Sequence, residues 1–169
     1  MHDTNSVRSV LEQFPYGIFI LAAHTQEQGV SAIVATWVMQ VSFTPPLVAV
    51  SLERDGTMLP EIMREGRFSI NCVPADGIAL AKSILKSGPA FARELADQLF
   101  ATGSSDVPML RGAAGVLDCQ SRNVHEAGDH VLIIAEVVGG EATRLTEMLD
   151  LKRTGWRYRS RDTHHERKS

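Results

Sequence analysis

The sequence has 169 residues, of which 44% are hydrophobic and 22% charged, and its formal net charge is −3. This length favours a single domain that folds without a disulfide or a metal to stabilise it. The mildly acidic net charge argues against a dedicated nucleic-acid binder, which usually has a strong excess of basic residues. No apolar stretch reaches the length of about 18 residues that a membrane span needs.

The N-terminus is polar and has no apolar run behind a basic start, so we expect no signal peptide and a cytoplasmic protein. Cys72 and Cys119 lie in apolar segments, which favours buried free thiols over a disulfide framework. The histidines do not pair with cysteines or carboxylates at the spacing of a zinc site, and His164 and His165 fall in a polar tail. No metal site is therefore predicted.

The first half of the chain predicts one helix followed by strands. Apolar residues at helical spacing open the chain: Val7, Val10, Leu11 and Phe14. Asp3 and Thr4 are candidate caps for this helix, and Pro15 ends it. Apolar runs then predict strands at 17–24, 32–34 and 47–52.

The second half predicts helices and then a hairpin. Thr57 is placed to cap a short helix that ends near Gly66, and a strand follows at 67–73 with Phe68, Ile70 and Cys72 on one face. The pattern is helical over 76–100, with a break at 88–89, and 101–111 reads as a loop. Strands at 115–123 and 130–138 are joined by the turn 127–129.

Strands that are close in sequence, with short turns and few crossover helices, favour an antiparallel sheet or barrel over a doubly wound one. We expect one domain over 1–160 and a disordered tail over 161–169. The chain has no G-x-G-x-x-G after a strand, no P-loop and no G-x-S-x-G elbow, which argues against a Rossmann nicotinamide site, a nucleotide phosphate loop and a hydrolase nucleophile.

The stretch 29–52 is the most informative. Thr36, Trp37, Gln40 and Ser42 stand within an apolar run at spacings too irregular for one strand face or one helix face. If they are buried, each needs a hydrogen-bonding partner, and the polar edge of an isoalloxazine ring supplies such partners. The alternative is a strand with a bulge whose polar groups face solvent. The residues alone leave both readings open.

A candidate anion site follows this stretch. Ser51, Arg54 and Thr57 surround the end of a strand and the start of a helix, where free N–H groups and the helix dipole favour a phosphate. The alternative is that Arg54 is a solvated surface charge and Thr57 only a cap. His130 lies at the junction between a turn and a strand, where Gly128 and Asp129 suit the turn by themselves.

The order of several short motifs resembles that of the flavin reductase-like, FMN-binding split-barrel family. The similarity covers about residues 8 to 158. It runs through Phe14-Pro15-Tyr16-Gly17-Ile18, Ala35-Thr36-Trp37-Val38-Met39-Gln40-Val41-Ser42, Pro45-Pro46-Leu47-Val48, Phe68-Ser69-Ile70-Asn71-Cys72-Val73, Pro108-Met109-Leu110-Arg111-Gly112, Leu117-Asp118-Cys119, Gly128-Asp129-His130 and Ala135-Glu136-Val137-Val138. This resemblance implies a mainly β fold with flanking helices, in the form of a six-stranded antiparallel Greek-key split β-barrel. It also implies a homodimer with flavin near the interface.

The resemblance assigns roles by position. The residues implied to line the isoalloxazine and ribityl chain are Thr36, Trp37, Val38, Gln40, Val41 and Ser42. Ser51, Arg54 and Thr57 are implied at the phosphate, and His130 at the nicotinamide. Trp156 or Tyr158 would cover the ring or fill the barrel mouth. Many relatives have Asn-Ser in place of Thr36-Trp37 and Ser in place of Gln40. Because this chain departs from that pattern, the identity of its electron acceptor stays open.

Two functional hypotheses follow from the resemblance. In the first, the protein is an oxidoreductase that transfers hydride from NADH or NADPH to FMN, with FAD as the other flavin that the sequence leaves open. Reduced flavin would pass electrons to a partner monooxygenase or another acceptor. In the second, it is a non-catalytic FMN-binding electron relay without a nicotinamide site of its own. A purely structural β domain is a third reading.

Overall fold

The computed structural model describes residues 4–27, 29–87, 90–91, 93–102, 106–144 and 146–156. Within these ranges the helices are α1 (Thr4–Leu11), α2 (Met58–Glu65), α3 (Ile78–Ser87), α4 (Arg93–Leu99) and α5 (Leu151–Thr154). The strands are β1 (Phe19–His24), β2 (Val30–Ala35), β3 (Val38–Phe43), β4 (Pro46–Glu53), β5 (Arg67–Cys72), β6 (Ala90–Phe91), β7 (Phe100–Thr102), β8 (Pro108–Leu110), β9 (Gly115–Ala127) and β10 (His130–Ala142). The predicted tail lies outside the described residues.

Eight of these strands form one antiparallel sheet in the order β3-β4-β10-β9-β5-β1-β2-β6. The expectation of a mainly β, antiparallel fold with flanking helices is therefore confirmed, but the expected count of six strands is wrong for this sheet. The stretch after β2 doubles back as the β3–β4 hairpin, and the two residues of β6 pair with the end of β2. β3 and β6 are thus added at the two edges of the sheet, where pairing needs few residues.

The core lies on both faces of β1. Ile20 and Ala22 belong to one buried apolar cluster, while Leu21 and Ala23 belong to a second cluster on the other face. This arrangement explains why β1 reads as a continuous apolar run, because a strand that is covered on both sides has no solvent-facing positions. Phe68 of β5 joins the second cluster, as its predicted face requires.

The segment predicted as a loop at 101–111 instead contributes β7 and β8, which pair with each other. Side chains of β5 hold β8 in place. The buried Asn71 accepts a hydrogen bond from Leu110 N at 2.7 Å, and Ser69 Oγ donates to the carbonyl of Pro108. The turn-forming composition of this segment hid the two short strands, and the side chains that hold β8 lie 39 positions earlier in the sequence.

Other predicted elements are confirmed, often with longer bounds. α1 begins at the predicted cap Thr4 but ends at Leu11, before the predicted stop at Pro15, and Val7, Val10 and Leu11 are at least half exposed. α2 starts after Thr57 and ends at Gly66, which adopts the left-handed conformation with φ of 68°. No helix in the described part of the chain is long and apolar enough to cross a membrane.

Candidate functional site

A cavity of about 300 Å³ lies between the ends of two strands and two helices. The end of β2 and the residues after it, 32–37, form one wall, and 51–53 at the end of β4 form another. The start of α2, at 56–59, and Ile84 and Leu85 of α3 complete the lining. β2 and β4 are not neighbours in the sheet, so the cavity occupies the gap that their ends leave.

Hydroxyl groups are distributed along this apolar cavity. Thr36 follows β2, Ser51 lies in β4, and Thr57 precedes α2, and all three line the cavity. Thr57 occupies the N-cap position of α2 with helical backbone angles, φ −70° and ψ −22°, and its side chain makes no capping hydrogen bond. The free N–H groups at this helix start carry a partial positive charge, so this end of the cavity favours an anion.

Trp37 forms an aromatic contact that links the cavity to the β9–β10 hairpin. Its ring centroid lies 4.7 Å from that of His130, with the planes inclined by 43°. His130 is only 5% exposed, and its Nδ1 lies 2.7 Å from Asp129 Oδ1. This hydrogen bond lowers the pKa of the Asp129 carboxyl below its ordinary value, so the carboxylate beside His130 stays charged at neutral pH. Strand pairing places His130 opposite Glu53, which lines the cavity.

Arg54 lies beside the cavity in sequence but points to the turn of the same hairpin. Its Nη2 donates to the carbonyl oxygen of Gly128 at 2.8 Å and forms an ion pair with Glu126. Its backbone N–H donates to the carbonyl oxygen of Asp129 at 3.1 Å. The Arg54 side chain is half exposed and is absent from the cavity lining. The residue predicted to hold a phosphate therefore holds the turn that carries His130.

A family model described as flavin reductase like domain matches residues 11–154. Flavin reductase from Pseudomonas putida is 30% identical over 135 residues, which cover 80% of this chain and 78% of that protein. The NADH-type FMN reductase SmoA from Agrobacterium fabrum strain C58 is 28% identical over 137 residues, covering 80% of this chain and 75% of that protein. This chain belongs to the flavin reductase-like family.

A solved structure supports the same assignment. The flavin reductase of the styrene monooxygenase from Pseudomonas putida S12 superposes with a TM-score of 0.72 at 25% identity, over 85% of this chain and 90% of that one. The family predicted from the sequence is thus confirmed. Flavin reduction, the predicted class of function, is also the class in which these relatives are named.

Four of the residues predicted to contact flavin line the cavity of this flavin reductase-like domain: Thr36, Trp37, Ser51 and Thr57. The four predicted residues of β3 do not line it: Val38, Gln40, Val41 and Ser42. The pairing of β3 with β4 is irregular between Gln40 and Ser42, and the exposed Gln40 donates from Nε2 to the carbonyl oxygen of Ser42 at 3.1 Å. Gln40 and Ser42 therefore lie in a bulged strand on the solvent side, which is the alternative that the sequence left open.

The two aromatic residues predicted near the C-terminus have different outcomes in this flavin reductase-like domain. Trp156 is half-buried, packs against the apolar cluster that contains Ile18 and Leu149, and does not line the cavity. Its predicted role, to cover the ring or to fill the barrel mouth, stays a prediction. Tyr158 lies outside the described residues.

Sequence reasoning missed several parts of the site. Gly56 lines the cavity, and a Cβ there would lie 2.9 Å from the carbonyl oxygen of Glu53, so the tight approach excludes a larger residue. Ile84 and Leu85 reach the cavity from α3. The helical spacing of α3 signals an apolar face, but nothing local indicates that this face meets β2. Among the described residues no cluster of metal-ligating side chains occurs.

Proposed function

We propose that this protein is an NADH-dependent flavin reductase that binds FMN in the cavity between the ends of β2 and β4. One observation carries the proposal: the cavity joins apolar walls to hydroxyl groups and the start of a helix, in a chain of the flavin reductase-like family. Two relatives named as NADH-dependent flavin reductases, from Streptomyces nodosus and Pseudomonas fluorescens, support the choice of donor.

The lining fits the three parts of FMN. Ala32, Leu52 and Leu85 offer apolar contacts to a flat ring, and the Thr36 and Ser51 hydroxyls suit its polar edge or ribityl chain. Thr57 and the N–H groups at the start of α2 suit a phosphate. The volume of about 300 Å³ lies at the lower end of the range for small-molecule sites. A cavity of this volume would hold most of the cofactor and leave one end of it in solvent.

A bound flavin supplies the hydride acceptor, its N5 atom, and a reservoir of electrons for a later acceptor. The protein's own residues then bind and orient. Trp37 gives the cavity an aromatic wall, and His130 with Asp129 fixes the position of that wall. We propose that this part of the cavity receives the nicotinamide, because a donor ring must lie flat against the flavin for hydride transfer.

A specific observation favours a second candidate, the electron relay without a nicotinamide site. His130 is buried behind Trp37, and the described lining of the cavity includes no histidine that could contact a nicotinamide. In that case electrons would enter from a reduced protein partner. The two candidates differ in whether NADH reduces the bound flavin.

We propose a homodimer closed across the exposed edge strand β3. Met39, Val41 and Phe43 of this strand are exposed apolar side chains, and Phe43 is 87% exposed. An apolar edge of this kind favours pairing with a second copy. We also propose closure of the sheet as a split barrel, because Ala35 of β2 shares a buried cluster with Val48 and Leu52 of β4.

We propose a two-component monooxygenase, or a related flavin-dependent enzyme, as the electron acceptor. Two relatives by structure support this class: the reductase of the styrene monooxygenase already described, and BorF, named as the flavin reductase component of a two-component tryptophan halogenase. A cytoplasmic location would give such a reductase access to NADH.

The decisive experiment begins with titration of purified protein with FMN, FAD and riboflavin, followed by fluorescence. Anaerobic addition of NADH to the FMN-loaded protein should then bleach the flavin absorbance. Loaded protein that is bleached by dithionite but not by NADH or NADPH would support the electron relay. Protein that takes up none of the three flavins is the outcome that rejects both candidates.

A further inference from the structure

Glu126 and Gly128 contact the side chain of Arg54, the residue that the family resemblance assigns to the flavin phosphate. Arg54 Nη2 donates to the carbonyl oxygen of Gly128 at 2.8 Å and pairs with the carboxylate of Glu126. Glu53, immediately before Arg54, and Gly56, two positions after it, both line the cavity. Arg54 thus stands at the border between the cavity and the β9–β10 turn.

We propose that Glu126 is a specificity-determining residue, which competes with the flavin phosphate for Arg54 and so reduces the preference for FMN over riboflavin. This inference rests on the proposed function, because it requires a flavin in the cavity. Arg54 exchanges between two anions, the carboxylate of Glu126 and the phosphate of the cofactor.

The exposure of the ion pair permits this exchange. The side chains of Arg54 and Glu126 are 50% and 72% exposed. Ion pairs with this exposure contribute little to stability, so a competing anion displaces the carboxylate at small cost. A phosphate carries a charge between −1.5 and −2 at neutral pH and offers three acceptor oxygens, and it binds a guanidinium more strongly than one carboxylate does.

The turn remains attached when the side chain of Arg54 leaves. The backbone N–H of Arg54 donates to the carbonyl oxygen of Asp129 at 3.1 Å, and this bond does not depend on the guanidinium. β10 also pairs with β4 from His130 to Glu136. Exchange at Arg54 therefore loosens the tip of the hairpin around Glu126 and leaves the His130 strand in register.

Removal of the Glu126 charge should tighten the binding of FMN rather than weaken it. Glu126→Gln should tighten FMN binding by about two- to fivefold, the fold-change expected from loss of one exposed ion pair, and leave riboflavin binding unchanged. Dissociation constants of the apoprotein for both flavins, measured by fluorescence titration, give the ratio directly. A purely structural role for Glu126 predicts equal or weaker binding of both flavins.

Two controls separate this effect from a general change in charge. Glu136→Gln removes the same charge from the same hairpin and breaks the Arg122–Glu136 ion pair, whose atoms lie 2.7 Å apart, away from the turn. It should leave the ratio of FMN to riboflavin affinity unchanged. In an Arg54→Ala background, Glu126→Gln should give no gain, because the two residues act through one interaction.

The outcomes distinguish this inference from the function on which it rests. If the wild type binds FMN but Glu126→Gln leaves the FMN-to-riboflavin ratio unchanged, or shifts it as far in the Arg54→Ala background, the competition is rejected and the proposed function stands. If Glu136→Gln raises the ratio equally, the effect is long-range charge and the inference again fails. A wild type that binds no flavin overturns both.

Discussion

The rings of Trp37 and His130 are in tilted contact, with centroids 4.7 Å apart, and only Trp37 of the two lines the cavity. Asp129 holds the other side of His130 through the 2.7 Å contact at Nδ1. His130 therefore supports the cavity wall from behind, through its contact with the indole of Trp37. The catalytic role that the family resemblance gives to His130 and the packing role that the structure shows can be separated experimentally.

His130→Ala should slow anaerobic reduction of bound FMN by NADH tenfold or more, because loss of the ring frees Trp37 and misplaces the donor. FMN affinity should stay within about a factor of three, less than about 1 kcal/mol, since His130 does not line the cavity. Stopped-flow absorbance measures the rate, and reduction by dithionite serves as the control. His130→Phe keeps a ring against Trp37, so its rate shows whether packing or the imidazole matters. Reduction of the alanine variant at the wild-type rate would leave His130 as a turn residue only.

Trp37→Ala should weaken FMN and riboflavin to a similar extent, by roughly three- to tenfold, because both flavins lose the same aromatic wall. Trp156→Phe is a matched control, since Trp156 packs against a core cluster and not in the cavity. It should lower the free energy of unfolding without changing either dissociation constant. If only FMN binding weakens in Trp37→Ala, the indole contacts the phosphate end and the assigned orientation is wrong.

Arg54→Ala should weaken FMN far more than riboflavin. Loss of a charge-assisted hydrogen bond to phosphate should cost about 1.5–3 kcal/mol, or roughly ten- to a hundredfold in affinity. The same titrations check this result, with Arg122→Gln as a control that removes a similar charge from the β9–β10 hairpin. Equal losses for both flavins would assign Arg54 to the turn alone.

Phe43→Glu should convert a dimer into monomers, because it places a charge on the most exposed apolar side chain of β3. Light scattering at micromolar concentration should give twice 18.5 kDa for the wild type and 18.5 kDa for the variant. Met63→Glu changes another exposed apolar residue, on α2, and should leave the wild-type mass unchanged. A wild-type monomer with flavin bound would refute the proposed dimer.

Burial raises the pKa of the Cys119 thiol from its ordinary value of 9.0 to about 12. A raised pKa means that the unfolded chain ionises first, so the contribution of Cys119 to stability is complete below pH 9 and is lost as the pH rises toward 12. Denaturant unfolding of the wild type and Cys119→Ala across this range should show a steeper decline for the wild type. Parallel curves for the two proteins would show that the thiol is not protected in the native state.

Local patterns predicted much of this fold. The apolar run of β1, the alternation of β5, and the turn at Gly128 each placed an element close to its observed position. β7 and β8 were missed because their short sequences resemble a loop, and β8 is held by Ser69 and Asn71, 39 positions earlier. Hydrogen bonds of that span leave no periodic trace in the segment that receives them.

Residue types at fixed local spacings predicted six of the strands, β1, β2, β4, β5, β9 and β10, together with the helix that Thr57 precedes and Gly66 ends. They also predicted the family. The packing of distant strands, by contrast, decided which polar groups of 29–52 meet the cavity and which face solvent. It also decided that Arg54 reaches Gly128, 74 positions later, and that Trp37 reaches His130. Periodicity reports how a residue faces its own strand, whereas these contacts depend on which strands become neighbours and in what register. That choice is made by burial of the whole core.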